Sequence, residues 1–475
     1  MKLFYITTLG CKVNQYESDG IASELMAHGW TATHQCEKAD ICIINTCAVT
    51  ARATRQSRQE TRSIIRSNPR AKIIVTGCHA QTAAHEIRKI KEVDYVIGHR
   101  DKFNIAKTIL ASFSPNDAGG ENHPTDGEGK EKSQTSSQLL PMAEKALEKF
   151  QDPSSNACHD TEFQSFSPAV TGDNTRAYLK IQDGCNAFCT YCIVPHARGR
   201  SRSMPRQEVL SHLRSLDGAG YAEAILTGIH TGAYGLDFEE KSSLESLLRH
   251  IAHEKPIHRI RLSSVEPREL TDNIINLMVS NPIFCEHFHI PLQSGDDDIL
   301  SRMKRPYDAA LFKSLVMKIH RKKPFAAIGV DILQGFPGET EAAFKNTFNL
   351  IRSLPITHLH VFPFSPREGT PAFNYPDKVP REIIRERCSI MRSLGERKTR
   401  GFEAANMGRS LEAVIQEKRD TATGNLKAVT SNYLTIQVEG ADDLKKKVVS
   451  VQLDHMDGDT PPHLVGRVMA PRQKN

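Results

Sequence analysis

No apolar run in the chain approaches the roughly 18 residues that a membrane-spanning helix needs, and no N-terminal stretch has the long apolar region and cleavage site of a secretory signal. Lys2 leads straight into a strand-like segment instead. These absences predict a cytoplasmic protein with no membrane partner. Tryptophan is almost missing: Trp30 is the one copy, and it reads as a core residue. Paired cysteines are missing too. There are 11, an odd number, in a chain of 475 residues that is long enough to bury its cores without covalent staples. That argues against a disulfide framework and for metal or redox chemistry. Charge of one sign is not dominant either. The net +6 leans mildly toward nucleic acid, and an ordinary solvated surface accounts for it equally well.

What is present is alternation. In the first hundred residues the apolar segments "KLFYITTLGC", "ADICIINTC", "AKIIVTGC" and "VDYVIG" read as strands, and helical patterning separates the first three. The intervals between Cys11, Cys47 and Cys78 each match one βαβ unit. We therefore expect an α/β fold opening with a doubly wound parallel sheet domain over residues 1–112. Residues 113–170 are polar, Gly/Ser/Asp-rich and aperiodic, a linker in which "AEKALEKF" adds a short helix. Cys158 falls there and receives no role. Residues 171–402 return to alternation, with "YLKIQDGC", "AILTGI", "RIRLSSVEP", "HFHIPLQSG", "AAIGVDILQGFP" and "HLHVFPFSP" as six strands of a partial (β/α)6 barrel. Residues 403–471 hold short β-like segments between turns and predict a small all-β barrel.

The sharpest local signal is "DGCNAFCTYC", which spaces Cys185, Cys189 and Cys192 as C-x3-C-x2-C after the first barrel strand. Three soft thiolates this close suit an iron–sulfur cluster or zinc. A closed zinc site needs a fourth ligand, and no second C-x2-C follows to supply one. Three ligands on a four-iron cluster leave one iron open. Cys11, Cys47 and Cys78 each end a predicted parallel strand, where ligand sites form in open α/β sheets. They form a second candidate set, against the alternative of buried or incidental thiols. Cys42, inside a strand, reads as core, and Cys36, Cys285 and Cys388 have no partners at ligand spacing.

The triplet resembles the signature of the radical S-adenosylmethionine (SAM) superfamily. That resemblance implies an open iron that chelates the amino and carboxylate groups of SAM, which an electron from the cluster splits into methionine and a 5′-deoxyadenosyl radical. "DILQGFPGET", "SSVEP" and "HIPLQSG" are similar to strand ends near the cofactor in that family. Gly228, Glu266 and Gln293 are accordingly the candidate SAM-binding residues. A plain turn at Gly228 and satisfied polar groups at Glu266 and Gln293 are the competing readings.

"TLGCKVNQYES", "INTCAVTARATRQSR" and "VTGC" further resemble the N-terminal domain of the methylthiotransferases. The resemblance implies two [4Fe-4S] clusters, one on Cys185, Cys189 and Cys192 and one on Cys11, Cys47 and Cys78. It also implies SAM as cofactor and methyl donor, a tRNA substrate, and a C-terminal TRAM-like RNA-binding module. The wording after Cys11 is similar to the MtaB branch, which methylthiolates carbon 2 of N6-threonylcarbamoyladenosine at position 37 of tRNA. Alternatives are the isopentenyladenosine branch, the ribosomal-protein branch, and a non-catalytic iron–sulfur or RNA-binding scaffold. An electron donor and a sulfur source are implied but not identified. The linker is longer than usual, and Gln334 stands where an apolar residue is expected.

For RNA contact the candidates are the stripe Arg52, Arg55, Arg58, Arg62 and Arg66 on a predicted helix, the group Arg198, Arg200 and Arg202, and Lys304, Arg305 and Tyr307 in "MKRPY", whose tyrosine has a face for a base. A solvated helix face and an ordinary loop are the competing readings.

Overall fold

The computed structural model describes residues 2–112, 162–168, 174–458 and 463–469. The helix expected at "AEKALEKF" and Cys158 lie outside the described residues. By contact the chain divides into two compact units, Met1–Asp160 with His196–Gly199, and Thr161–Pro195 with Arg200–Asn475.

In the first unit β1 (Leu3–Thr8), β2 (Thr31–Ala32), β3 (Ile41–Thr46), β4 (Lys72–Gly77) and β5 (Tyr95–Ile97) form one parallel sheet in the order β2-β1-β3-β4-β5. β3 is buried along its whole length and β4 along all but its first residue, as central strands covered on both faces must be. The two-residue β2 was not anticipated, because it is too short to show a period. The helix Ala51–Ser67 begins where the Thr50 side chain accepts from the Ala53 amide at 3.1 Å, which satisfies one orphan donor of the first turn. Thr54, Ser57, Thr61, Ile64 and Ile65 form its buried face. Trp30 is core, as expected.

The second unit carries the six expected parallel strands: β6 (Ala177–Asp183), β8 (Glu223–Gly228), β9 (Arg259–Leu262), β10 (His287–His289), β11 (Ala327–Gln334) and β12 (His358–Pro363). A two-residue strand, β7 (Arg202–Ser203), adds antiparallel to β6. Ladders join β6-β8-β9 and β10-β11-β12, while a bridge between Ile260 and Phe284 and the bond from Val265 N to His289 O (3.0 Å) link the two halves. Thr271, Asp296, Asp308 and Thr340 each cap the helix that follows them, a regular start for the helices between these strands. The result is a partial (β/α)6 barrel.

β13 (Ser410–Ile415), β14 (Leu426–Thr430), β15 (Thr435–Val438), β16 (Val448–Asp457) and β17 (His463–Val468) then close into a small barrel. It is fastened to β9 by two buried arginines. Arg259 donates to Val429 O at 3.1 Å, and Arg261 donates to Thr430 O and Ser431 O, both at 3.0 Å. Their charges meet on the buried carboxylate of Glu223, at 2.8 Å from Arg259 Nε and 2.7 Å from Arg261 Nε. Burial alone would raise the Glu223 pKa, but the guanidiniums outweigh it and bring it down to about 2.

Candidate metal centres

In the first unit the thiols of Cys11, Cys47 and Cys78 stand after the C-terminal ends of β1, β3 and β4. Cys11 is exposed and caps the helix Lys12–Ala27, whereas Cys47 and Cys78 are buried. Burial pushes the Cys47 thiol up to about 12, and the neighbouring Cys78 and Cys11 add to the rise. Cys78 is raised by burial, then relieved by Arg198 and raised again by Cys11. The three cysteines thus follow the same ends of three neighbouring strands of one parallel sheet. Two glycines make the approach possible. Gly10 has φ +104, and a Cβ there would sit 2.8 Å from Cys47 Sγ. Gly77 has φ +98, and a Cβ there would sit 2.3 Å from Thr46 O.

Beside these thiols lies a buried polar cluster. Asn14 Nδ2 donates to Leu9 O (2.8 Å) and Thr46 O (3.0 Å), tying β1 to β3 just before their cysteines. Glu17 accepts from Lys102 Nζ at 2.6 Å and from Arg198 Nη1 at 2.9 Å. Arg198 Nη2 also donates to Asn14 Oδ1 at 2.8 Å. Two cations thus share one carboxylate next to three thiols. Metal ligation would turn the thiols into thiolates, and that added negative charge is what the cations offset. The donor set and its electrostatics fit an iron–sulfur cluster on three cysteines.

In the second unit Cys185, Cys189 and Cys192 lie on the loop after β6. Gly184 (φ 71) and Phe188 (φ 45) take left-handed backbone there and wind the chain tightly. Thr190 pins the loop: its hydroxyl donates to Arg302 O at 2.9 Å, and its carbonyl accepts from the Ala372 amide at 2.8 Å. Burial pushes Cys192 up to about 12, with Cys189 and Cys185 adding to the rise.

Cationic partners flank them. Arg305 Nη1 lies 3.2 Å from Cys189 Sγ and ion-pairs with Glu266. His230 Nδ1 lies 3.5 Å from Cys185 Sγ, and its Nε2 is 2.6 Å from Glu269 Oε1. Burial opposes the His230 charge, but Cys185 and Glu269 hold its pKa up to about 10. Gln182 organises the loop's entrance, donating to Asp183 O (2.9 Å) and Gly184 O (2.8 Å) and accepting from the His230 amide (2.7 Å). Three thiols with a guanidinium and an imidazole against two of them again fit a cluster held as thiolates.

Each remaining candidate has a definite place. Gly228 ends β8, and what its missing side chain makes room for is Gln182, whose Oε1 would stand 3.0 Å from a Cβ. Glu266 reaches the cysteine loop through Arg305. Gln293 adopts φ 66, its amide donating to Asp331 O at 2.9 Å and its carbonyl accepting from Leu333 N at 2.8 Å. Gln334 is buried with neither amide atom hydrogen-bonded among the described residues.

Sequence reasoning missed Gln182, His230, Glu269 and the role of Arg305. Only the polar character of positions just past apolar strands hinted at them. Two RNA expectations need correction. Arg198 is buried in the Glu17 cluster and Arg202 is buried with its Nη2 3.8 Å from Asp183, so of that group only Arg200 is exposed. Tyr307 is buried with its hydroxyl on Pro291 O (2.9 Å) and Leu292 O (3.0 Å), which leaves no face for a base. On the helix Ala51–Ser67, Arg52, Arg55, Arg62 and Arg66 are exposed, while Arg58 pairs with Glu86 at 2.8 Å.

A partial (β/α)6 barrel with a three-cysteine loop after its first strand defines the radical SAM class. Residues 179–351 match the radical SAM superfamily, and residues 3–98 match a family described as uncharacterized protein family UPF0004. The chain is 35% identical over 94% of its length to a threonylcarbamoyladenosine tRNA methylthiotransferase MtaB of Bacillus subtilis (strain 168), covering 92% of that protein. It is 31% identical over 96% of its length to a tRNA-2-methylthio-N(6)-dimethylallyladenosine synthase of Carboxydothermus hydrogenoformans, covering 99% of it. Among solved structures, the radical SAM methyltransferase TsrM from Kitasatospora setae shares the fold at TM-score 0.53 and 17% identity, over 78% of this chain and 74% of that one. The chain belongs to the radical SAM methylthiotransferase family.

Proposed function

We propose that this protein methylthiolates carbon 2 of N6-threonylcarbamoyladenosine at position 37 of tRNA, consuming SAM. The observation that carries the reading is the pair of three-cysteine sets, one after the C-terminal ends of three parallel strands and one on the loop after β6, in a chain 35% identical over 94% of its length to an MtaB protein. An unactivated aromatic C–H position offers little to acid–base chemistry, so the hard step belongs to a cofactor and the protein supplies placement.

Clusters bound at Cys185, Cys189 and Cys192 and at Cys11, Cys47 and Cys78 would supply, respectively, the electron that cleaves SAM and the sulfur that is transferred. The chain's own residues do the rest. Arg305 and His230 stand against the sulfurs of Cys189 and Cys185, while Glu266 and Glu269 fix those two groups in turn. Arg198 opposes the rise at Cys47 and Cys78, and Lys102 opposes it at Cys78. Gly228, Glu266 and Gln293 border the SAM site, Gly228 and Glu266 acting through Gln182 and Arg305 on the cysteine loop.

We divide the work among residues 1–112 for sulfur delivery, 171–402 for radical generation, and 403–471 as a TRAM-like RNA-binding module, with 113–170 as the connection. Arg52, Arg55, Arg62, Arg66 and Arg200 are the exposed candidates for tRNA phosphates. The reaction also needs a reductant and a sulfur source from the cytoplasm. No described helix is long and apolar enough to cross a membrane.

Nucleoside mass spectrometry of bulk tRNA tests the reading, in a strain lacking its own enzyme and supplied with this gene or its Cys185→Ala form. The wild-type gene alone should restore 2-methylthio-N6-threonylcarbamoyladenosine. Appearance of 2-methylthio-N6-isopentenyladenosine instead would assign the chain to the other tRNA branch. Neither nucleoside, with clusters filled, would remove tRNA as substrate.

A further inference from the structure

Three adjacent parallel strands of the barrel bring His289, Asp331 and His360 together, away from either cysteine set in sequence. His289 ends β10, Asp331 lies in β11 and His360 in β12. The ladder places His360 directly beside Asp331, and His289 beside Gly329. From there the His289 imidazole leans across to Asp331, two residues on from Gly329. His289 Nε2 reaches Asp331 Oδ1 at 2.9 Å, and His360 Nδ1 reaches the same oxygen at 3.0 Å. All three ligand atoms lie within 4.8 Å of one another.

We propose that His289, Asp331 and His360 form a divalent-cation site, distinct from both cysteine sets. Two imidazole nitrogens and one carboxylate oxygen are a borderline donor set of the kind that holds Fe2+, Co2+ or Zn2+ with positions left open. Metal–ligand bonds of about 2.1 Å put neighbouring ligands of an octahedral ion roughly 3.0 Å apart. The two observed edges, 2.9 and 3.0 Å, have that length. The second ring nitrogen of His289 is 3.2 Å from Ser264 Oγ, the outer-shell bond that fixes the orientation of a ligating histidine. All three side chains stand on strands rather than loops, so the triangle is held rigidly. Access is available too: the His360 side chain is 54% exposed, against 12% for His289 and 19% for Asp331. The open positions therefore face the wet side and suit an oxygen donor such as a carboxylate or carbonyl.

The test is equilibrium dialysis of the full chain against Co2+ with both cysteine sets already filled by iron–sulfur clusters, followed by metal analysis and visible absorption. One Co2+ per chain should bind, with ligand-field bands and without thiolate charge-transfer absorption. Asp331→Asn and His289→Gln should each weaken binding at least tenfold while leaving iron content unchanged. Should the buried variants fail to fold, His360→Gln, at the exposed corner, should weaken it as well. Absence of a bound Co2+, or unchanged binding in the folded variants, would overturn the proposal and leave the trio as a hydrogen-bonded network. The readout is independent of tRNA, so it stands or falls apart from the substrate reading above.

Discussion

Arg198 and Glu17, 181 positions apart in the chain, form a buried ion pair at 2.9 Å next to the thiols of Cys47 and Cys78. The guanidinium arrives on the short segment His196–Gly199, which belongs by contact to the first unit although the sequence around it belongs to the second.

Removing that guanidinium takes a donor from Asn14 Oδ1 and one of the cations from the buried Glu17 carboxylate. Breaking a buried pair costs about 3–5 kcal/mol. Arg198→Leu is expected to lower stability by that amount and to lose the N-terminal cluster, so that reconstituted protein holds about four irons per chain rather than about eight. Reductive SAM cleavage should persist. Iron analysis beside a 5′-deoxyadenosine assay checks this, and retention of all the iron would mean Arg198 is not needed for thiolate ligation.

Gly77 precedes Cys78 with φ +98, and a Cβ there would meet Thr46 O, Thr46 N and Asn45 Oδ1 at 2.3, 2.5 and 2.6 Å. Two of those atoms are backbone of the central strand, which cannot yield cheaply. Gly77→Ala combines overpacking with a left-handed alanine, together about 2–4 kcal/mol. Urea unfolding should show that loss, and methylthiolation should fall with it while SAM cleavage survives.

Glu223 is the buried hub that fastens the small β barrel to β9. Its pKa is about 2 in the folded chain against an ordinary 4.5. A carboxyl depressed by folding stabilises fully above its unfolded pKa, and that contribution is lost as pH falls from about 4.5 through 2. Glu223→Gln is expected to cost about 3–5 kcal/mol near neutrality, because Arg259 and Arg261 lose the buried carboxylate they share. Its stability should also vary less with pH across that acid window than the wild type's. Chemical unfolding at several pH values measures both, and parallel wild-type and mutant curves would show that Glu223 does not drive the acid dependence.

Much of this was legible beforehand because it rests on local order. Apolar runs at regular intervals fixed the six barrel strands, and the spacing of Cys185, Cys189 and Cys192 marked the loop after the first of them. The placing of Cys11, Cys47 and Cys78 on one side of the sheet needed only the rule that parallel strands end together. Arg198 and Tyr307 were misjudged for the opposite reason. Both are residue types that recognise RNA when exposed, and exposure is not written in a local pattern.

The sequence by itself thus determined the order of elements and the class of fold, which follow from periodicity and short-range spacing. Only the tertiary structure decided which charges are buried near the cysteines, that Gln182 fills the space over Gly228, and that His289, Asp331 and His360 converge on one point. Those relationships join residues tens to hundreds of positions apart. They exist only once the strands are in register, because burial and distance are properties of the packed chain and of no segment of it.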